Sequence, residues 1–136
     1  MKRYLLDTGI AAHYMNRRKG VFERARSEVA KGNVIGVGTP VLGELFFGAE
    51  NSASKDRNIQ QLRKNVTSWR VWPYIESSAE EFGRLAALLV RIGRPMQQID
   101  IMIAAIAFEI GNCTVVSADS DLFAVPGLDV EDWTQP

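Results

Sequence analysis

The sequence predicts an α/β fold with a mostly parallel central sheet and helices on both of its faces. Short apolar runs typical of buried strands alternate with longer segments of helical periodicity. When consecutive strands are connected by helices, they usually pair in parallel through right-handed crossovers. Such connections place helices on both faces of the sheet. The 136 residues are 46% hydrophobic and 24% charged, so we expect one globular domain over residues 1–136.

The first half of the chain contains two strands, four helices and a short extended piece. Gly32 ends the second helix, and Thr39 before Pro40 is an N-cap residue type followed by proline at the first helical position. A polar loop near residues 50–58 joins two of the helices. In order, we predict a strand at 3–6, helices at 8–16 and 21–31, a strand at 34–37, helices at 40–49 and 56–69, and an extended piece at 71–73.

The second half of the chain contains two long helices and two strands. Ser77 or Ser78 caps a helix that continues to Arg91, and Gly93 and Pro95 close it. The next helix, 99–110, is apolar almost all round, so we expect it to be buried. Strands are predicted at 114–117 and 128–130.

Composition excludes several classes of protein. The single cysteine, Cys113, can form neither an internal disulfide nor a cysteine-based zinc site, and we expect a buried, inert thiol. No uncharged run approaches the length of a membrane span, and Asp7 interrupts the first apolar run before it could serve as a signal peptide. We therefore expect a cytoplasmic protein that does not contact a membrane.

Five carboxylates are the candidate functional residues: Asp7, Glu44, Asp100, Asp119 and Asp121. Most of them lie just past the carboxyl end of a predicted strand, where ligands bind in open parallel sheets. Asp100 is the most informative, because a carboxylate in an almost wholly apolar helix is costly to bury without a compensating cation, hydrogen bond or proton. Taken singly, each acid has a structural alternative as a helix cap, a solvated side chain or a turn former.

A cluster of carboxylates without buried lysines repels itself at neutral pH, so a divalent cation is the natural counter-charge. Oxygen ligands favour Mg²⁺ or Mn²⁺ over zinc or copper, and the scattered positions of the acids disfavour a calcium loop. Metals held in this way are suited to phosphoryl chemistry, so we expect a phosphodiester substrate. The net charge is +0, but without these five acids 16 basic residues face 11 acidic ones, which is compatible with RNA binding.

Four segments in order resemble the motifs of the PIN-domain ribonucleases of the VapC type, the toxin half of bacterial toxin–antitoxin pairs. The resemblance spans essentially the whole chain and implies a PIN-like three-layer sandwich. Two departures are Gly9, where the first motif commonly has asparagine, and Gln97-Gln98 before the third acid. The four segments are Leu5-Leu6-Asp7-Thr8, then Gly43 to Glu50, then Gly93-Arg94-Pro95 followed by Asp100 to Ala105, and finally Ser117 to Asp121 with Val125 to Leu128 and Glu131-Asp132-Trp133.

This resemblance implies that Asp7, Glu44, Asp100 and Asp119 are catalytic and hold one or two Mg²⁺ or Mn²⁺ ions, with Asp121 as a further ligand. It also implies that the hydroxyls of Thr8 and Ser117 support the site. The implied reaction is endonucleolytic hydrolysis of RNA, in tRNA or a structured rRNA loop, that leaves a 5′-phosphate and a 3′-hydroxyl. The implied partners are a cognate antitoxin that inhibits the enzyme, operator DNA reached only through that antitoxin, and a second copy of the chain in a homodimer.

Other residues have weaker assignments. Arg17, Arg18, Arg91 and Arg94 are candidate contacts to RNA phosphates, with a solvated helix surface as the alternative. His13, the only histidine, is not expected to act as an acid or base, because metal-activated water needs none. We expect the three tryptophans, Trp69, Trp72 and Trp133, to pack in the interior rather than stack on bases, and Phe46 and Phe47 to form core or dimer surface.

Two other functions fit parts of the pattern. A phospho-acceptor module resembling receiver domains would need two adjacent acids after the first strand and a late lysine, yet Asp7 stands alone and no lysine follows Lys64. A non-catalytic PIN fold that only docks a partner is the other alternative. The presence of all four implied acids favours the ribonuclease.

Overall fold

A computed structural model describes residues 1–136 of the chain. Strands and helices alternate as the sequence predicts, and none of the helices combines the length and apolar character needed to cross a bilayer. The elements are β1 (Arg3–Leu6), α1 (Thr8–Met15), α2 (Val21–Ala30), β2 (Val34–Gly38), α3 (Thr39–Glu50), α4 (Lys55–Val66), β3 (Arg70–Trp72), α5 (Glu76–Arg91), α6 (Gln98–Ile110), β4 (Cys113–Val116), α7 (Ser120–Phe123) and β5 (Val130–Glu131).

The five strands form one sheet in the order β3-β2-β1-β4-β5, and every neighbouring pair is parallel. The predicted α/β fold is confirmed. From β1 the chain moves through β2 to β3 at one edge, then crosses to β4 and β5 on the other side. The strand order therefore reverses between β1 and β4, and in such sheets ligands bind in the crevice outside the carboxyl ends of these two strands.

One hydrophobic core lies on the sheet and is formed largely by β1, β4 and α6. Leu5, Leu6, Val115 and Ile106 are fully or almost fully inaccessible to solvent. The predicted burial of α6 is confirmed, because six of its residues are buried. The three tryptophans pack in the interior as predicted, while Phe47 is 70% exposed and does not join the core.

Two predicted helix caps are wrong because the hydroxyls bind elsewhere. Thr39 lies inside α3, whose N-cap is Gly38, and its Oγ1 accepts a hydrogen bond from the backbone N–H of Tyr74 at 3.1 Å. Ser78 lies at the third position of α5, and its Oγ accepts from the backbone N–H of the N-cap residue, Ile75, at 3.1 Å. Each hydroxyl thus accepts from a backbone N–H outside or at the start of α5 instead of capping its own helix.

Several boundaries also differ from the prediction. The fourth helix ends at Val66 instead of residue 69, because Trp69 turns into the core and packs its ring 5.2 Å from that of Tyr14. The predicted strand at 128–130 is the two-residue β5, Val130–Glu131. A short helix, α7, forms where only a turn was expected.

The predicted inert thiol is consistent with the structure. Cys113 is the first residue of β4 and is 9% exposed. Burial raises the pKa of its thiol to about 12, so the reactive thiolate is not formed at neutral pH.

The sheet is unusually close-packed at Gly36 in β2. This residue pairs with Leu5 of β1 on one side and with Arg70 of β3 on the other. A Cβ atom added at Gly36 would lie 1.9 Å from the carbonyl oxygen of Arg70 and 2.9 Å from the ring of Trp72. Only glycine fits this position without moving the backbone of β3.

Glu28 in α2 is a buried acid that does not belong to the candidate site residues. It is 3% exposed and accepts hydrogen bonds from Arg24 Nε at 3.0 Å and Asn33 Nδ2 at 2.9 Å. Arg24 also lies 3.5 Å from Glu131 and over the ring of Trp133, which ties α2 to the end of the sheet. Burial raises the pKa of Glu28, but these hydrogen bonds outweigh burial and leave the pKa below its ordinary value.

We expect Glu28→Gln to lower the free energy of unfolding by about 2 kcal/mol near pH 7, because an amide cannot accept both charge-assisted hydrogen bonds. Because the pKa of Glu28 is lowered in the folded protein, its carboxylate stabilises the fold fully at pH values above its ordinary pKa of 4.5. This stabilisation is lost as the pH falls through the lower pKa of the folded state. Urea unfolding at several pH values measures the difference. Glu23→Gln, an exposed change on the same helix, is the control; equal effects of both variants would contradict the assigned role of Glu28.

Candidate active site

Two of the predicted acids stand at the point where the strand order reverses. Asp7 directly follows β1 and is the N-cap of α1, where its carboxylate accepts from the backbone N–H of Ile10 at 2.8 Å. Asp119 lies just past β4 and caps α7, accepting from the backbone N–H of Asp121 at 2.9 Å. Both carboxylates are thus fixed by helix N-termini that also favour negative charge.

The other two acids reach the same place from helices. Glu44 lies in the second turn of α3, which follows β2, and its carboxylate accepts a hydrogen bond from the hydroxyl of Thr8. Asp100 lies in the first turn of α6. The hydroxyl of Ser117 lowers the pKa of the Asp7 carboxyl and accepts a hydrogen bond from the backbone N–H of Asp119 at 2.9 Å. The two hydroxyls implied to support the site therefore contact its acids.

All four acids line one hollow of about 320 Å³ at this edge of the sheet. The structure thus brings together residues that are up to 112 positions apart in the sequence. Its remaining walls are small, apolar or uncharged side chains, together with the one histidine. The hollow is lined by Asp7, Thr8, Gly9, Ile10, His13, Glu44, Gln97, Ile99, Asp100, Ile103, Ala118 and Asp119.

Asp121 stands beside the hollow rather than in its wall. Its carboxylate and those of Asp100 and Asp119 can place one oxygen each within 4.8 Å of one another. Arg94 Nη2 donates to Asp121 Oδ1 at 3.0 Å, and it is the only basic side chain that forms an ion pair with any of the five acids. One ion pair leaves most of the negative charge of the cluster without a counter-charge.

The electrostatics of the site reflect this excess of negative charge. The pKa of Asp100 is raised to about 6, first by burial and then by repulsion from Asp119, Asp7, Asp121 and Glu44. Burial also raises the pKa of Asp7, and Asp119 adds to the shift, whereas hydrogen bonds from Ser117 and Ile10 and the proximity of His13 oppose it. A divalent cation would neutralise the buried negative charge and offset the repulsion between the acids. These oxygen donors fit Mg²⁺ or Mn²⁺.

The candidate phosphate contacts are scattered. Arg94 lies next to Asp121, as described above, and Arg18 and Arg91 are exposed and line no hollow near the acids. Arg17 lies in a different hollow, where its guanidinium sits 3.4 Å from the centroid of the Phe22 ring. The four arginines therefore do not form one patch around the site.

Two residues that line the hollow, His13 and Gln97, were not among the candidate catalytic residues. His13 lies six residues after Asp7, and with Ile10 between them the three share one face of α1 at helical spacing. Gln97 occupies the position of a departure from the family pattern. Gly9, the other departure, leaves space, because a Cβ there would lie 3.8 Å from Asp7 Oδ1, an ordinary contact.

Comparisons with known proteins converge on one family. The PIN domain family model matches residues 4–128. The chain is 31% identical over 134 residues to the tRNA(fMet)-specific endonuclease VapC of Shigella flexneri, covering 98% of this chain and 100% of that protein.

Solved structures agree with the sequence comparison. The crystal structure of DNA-bound VapBC from Salmonella typhimurium matches with a TM-score of 0.89 and 27% identity, over 98% of this chain and 99% of that one. The structure of VapBC2 from Rickettsia felis bound to a promoter DNA fragment matches with a TM-score of 0.88 and 25% identity, over 96% of this chain and 98% of that one.

Proposed function

The chain belongs to the PIN-domain family, among the VapC ribonucleases of toxin–antitoxin systems, and we propose that Asp7, Glu44, Asp100 and Asp119 form its catalytic site. The observation that carries this proposal is the meeting of four carboxylates from four different elements in one hollow, at the point where the strand order reverses. A fold that only docks a partner has no need of an arrangement so costly in repulsion.

The four acids would hold one or two Mg²⁺ or Mn²⁺ ions, with Asp121 as a further ligand. A bound cation of this kind activates water for attack on a phosphodiester and stabilises the charge that develops on the phosphate. The chain's own residues hold the carboxylates in place: Ile10 N–H and the Ser117 hydroxyl fix Asp7, and the Thr8 hydroxyl fixes Glu44. The predicted products are a 5′-phosphate and a 3′-hydroxyl.

The other residues that line the hollow favour this chemistry because none of them is a lysine or an arginine and several are apolar. Ile10 and Ile103 are buried apolar side chains beside the acids, which keeps the local dielectric low and strengthens electrostatic interactions. No lysine or arginine lines the hollow to compete with a cation.

We further propose a cognate antitoxin as the protein partner and inhibitor, because both solved relatives above are VapBC complexes, and one of them includes promoter DNA. Operator DNA would be reached through that antitoxin, and a homodimer of this chain stays a prediction. As substrate we propose RNA, with tRNA tested first because the Shigella flexneri relative is named for tRNA(fMet).

The decisive experiment compares the purified wild type with Asp7→Asn on total tRNA and rRNA fragments, in Mg²⁺, Mn²⁺ and EDTA, with mapping of the RNA ends. We expect defined cuts that bear 5′-phosphates and that disappear in EDTA and in the variant. Asparagine still caps α1, so the fold of the variant is preserved. Asp129→Asn, an exposed acid outside the site, should cut like the wild type.

Two results would contradict the proposal. Cleavage that persists in EDTA, or in Asp7→Asn, would show that the carboxylate site is not the centre of reaction. Absence of cleavage on every RNA tested, with the antitoxin still bound by the folded protein, would favour the alternative of a PIN fold that only docks a partner.

A further inference from the structure

The hollow that contains the four acids, called the acid hollow below, is also lined by one imidazole, that of His13. His13 is half-buried on α1, and neither of its ring nitrogens makes a hydrogen bond or an ion pair within the chain. The only buried side-chain nitrogen or oxygen without a partner is Trp69 Nε1, so the ring nitrogens of His13 are in contact with solvent. An accessible imidazole without a partner is available to a ligand.

The helix leaves room for a ligand next to this imidazole. Gly9 is four residues before His13, and side chains at this spacing share one face of a helix, with the later one leaning toward the earlier. A Cβ atom added at Gly9 would have only Asp7 Oδ1 within 4 Å, at 3.8 Å. The position one turn before His13 is therefore open space within the acid hollow, whose wall includes both His13 and Asp7.

The acid hollow offers few other side-chain donors to an anionic substrate. Apart from the acids, its polar side chains are Thr8, His13 and Gln97. The hydroxyl of Thr8 already donates to Glu44. Gln97 is exposed at the N-cap of α6, whereas His13 is half-buried. The imidazole is therefore the one partly enclosed side-chain donor that a phosphate in the hollow would meet.

The charge balance of the hollow favours a contact between this donor and a phosphate. Two divalent cations would only cancel the charge of the four carboxylates, and a phosphodiester adds one further negative charge. His13 is the only lining side chain that can carry a positive charge. Hydrogen bonds from such a donor to a charged oxygen are shorter and stronger than those between neutral groups.

We propose that His13 binds the substrate, with its imidazole donating an N–H to a non-bridging oxygen of the phosphate that enters the acid hollow. This role rests on the proposed function, because the acids and their cation are what bring an RNA phosphate into the hollow. The contact needs no proton transfer, since an imidazole has an N–H donor whether it is neutral or charged. It is therefore compatible with the expectation that His13 is neither an acid nor a base.

The first test observes the imidazole directly. The chain has a single histidine, so the side-chain nitrogen resonances of histidine in a tag-free, ¹⁵N-labelled protein belong to His13 alone. The probe is an RNA trinucleotide, added in the presence of Mg²⁺, and we expect it to shift these resonances. The matched ligand is the same trinucleotide with methylphosphonate linkages, which lack the charged oxygen and should shift the resonances far less.

The second test separates the N–H donor from the ring. His13→Phe keeps an aromatic ring without the donor, and His13→Asn keeps an N–H donor on a smaller side chain. We expect His13→Phe to bind the trinucleotide about tenfold more weakly, for the loss of one charge-assisted hydrogen bond, and His13→Asn to lose about threefold or less. The control is Gln97→Leu, which removes the other donor in the hollow and should bind like the wild type, since Gln97 makes no side-chain cap to α6.

Cleavage kinetics give a further readout. In Mn²⁺ we expect His13→Phe to raise KM about tenfold with little change in kcat, because the hydrogen bond is present in the bound substrate as well as in the transition state. A change that merely disturbed α1 would instead lower the melting temperature and would affect His13→Asn as much as His13→Phe.

The outcomes distinguish the role of His13 from the proposed function. Imidazole resonances that shift with the trinucleotide support this role even if no RNA tested is cut. Backbone resonances of the hollow that shift while the imidazole resonances stay in place would overturn it and leave the proposed function standing. Equal affinities of the wild type and His13→Phe, or a larger loss in Gln97→Leu than in His13→Phe, would overturn it as well. A trinucleotide that changes no resonance in the hollow would overturn both.

Discussion

Asp100→Asn is expected to lower the rate of RNA cleavage at least about 100-fold and, without metal, to make the protein more stable than the wild type. The loss of rate follows from the removal of a carboxylate from the site that holds the cation and positions the phosphate. The gain in stability follows because Asp100 faces four other acids, so its charged form is unfavourable in the folded protein.

The pH dependence of this gain has a definite sign. The folded pKa of Asp100, about 6, lies above its ordinary value of 3.8, so the folded state holds a proton more tightly than the unfolded state does. The penalty therefore develops as the pH rises from about 4 to 6 and is complete above that range. After allowance for screening by solvent we expect a gain of about 1–2 kcal/mol near pH 7 that disappears near pH 4.

Urea unfolding in EDTA measures the gain in stability. Thermal unfolding with added Mn²⁺ tests whether Asp100 helps to bind the cation. The cation should raise the melting temperature of the wild type more than that of Asp100→Asn, because it binds only where its ligands are intact. Asp129→Asn is the control for loss of one exposed negative charge. A variant that is less stable than the wild type in EDTA would show that Asp100 is a structural cap.

Gly36→Ala is expected to destabilise the protein by about 3 kcal/mol or more, because the new Cβ would lie far inside contact distance of the Arg70 carbonyl. That carbonyl belongs to the backbone of β3 and cannot move aside as a flexible side chain would. The change should push β3 away from β2 and disturb Trp72, which packs over the same position.

Gly83→Ala is the matched control, because Gly83 lies in the middle of α5 with nothing within 4 Å of an added Cβ. It should stabilise the protein by about 0.5–1 kcal/mol through the higher helix propensity of alanine. Denaturant unfolding of both variants gives the comparison. Similar stabilities of the two alanine variants would mean that the approach of β3 to Gly36 is looser than described.

The sheet was predictable from the sequence because each strand is a short apolar run and each connection contains a helix. The boundaries were less predictable, since they depend on tertiary contacts. Trp69 continues the helical pattern of α4 but leaves the helix to pack on Tyr14. The hydroxyl of Thr39 suits a cap, yet the backbone of Tyr74, 35 residues away, binds it instead. Local preference decided neither case.

The candidate site was predictable to the level of its acids and, through the family resemblance, of the hydroxyls of Thr8 and Ser117 that contact them. Their positions after strands are a local property, and the parallel sheet then brings them to one edge. The ion pair between Arg94 and Asp121 depends on the distance between two elements that are remote in the sequence. The same holds for the separation of Arg17 from the acids, which its place shortly after α1 does not reveal.

Asp7 and Asp119 serve the architecture as well as the proposed chemistry, since each caps the helix that follows it. Two of the five proposed ligands are therefore held in place by backbone N–H groups before a cation binds, and these two lose little conformational entropy on binding. Because each residue is both a helix cap and a proposed ligand, only substitutions that keep the cap can remove activity without destabilising the fold. Asparagine at either position would keep the cap and remove the negative charge, so activity can be lost here while the fold is kept.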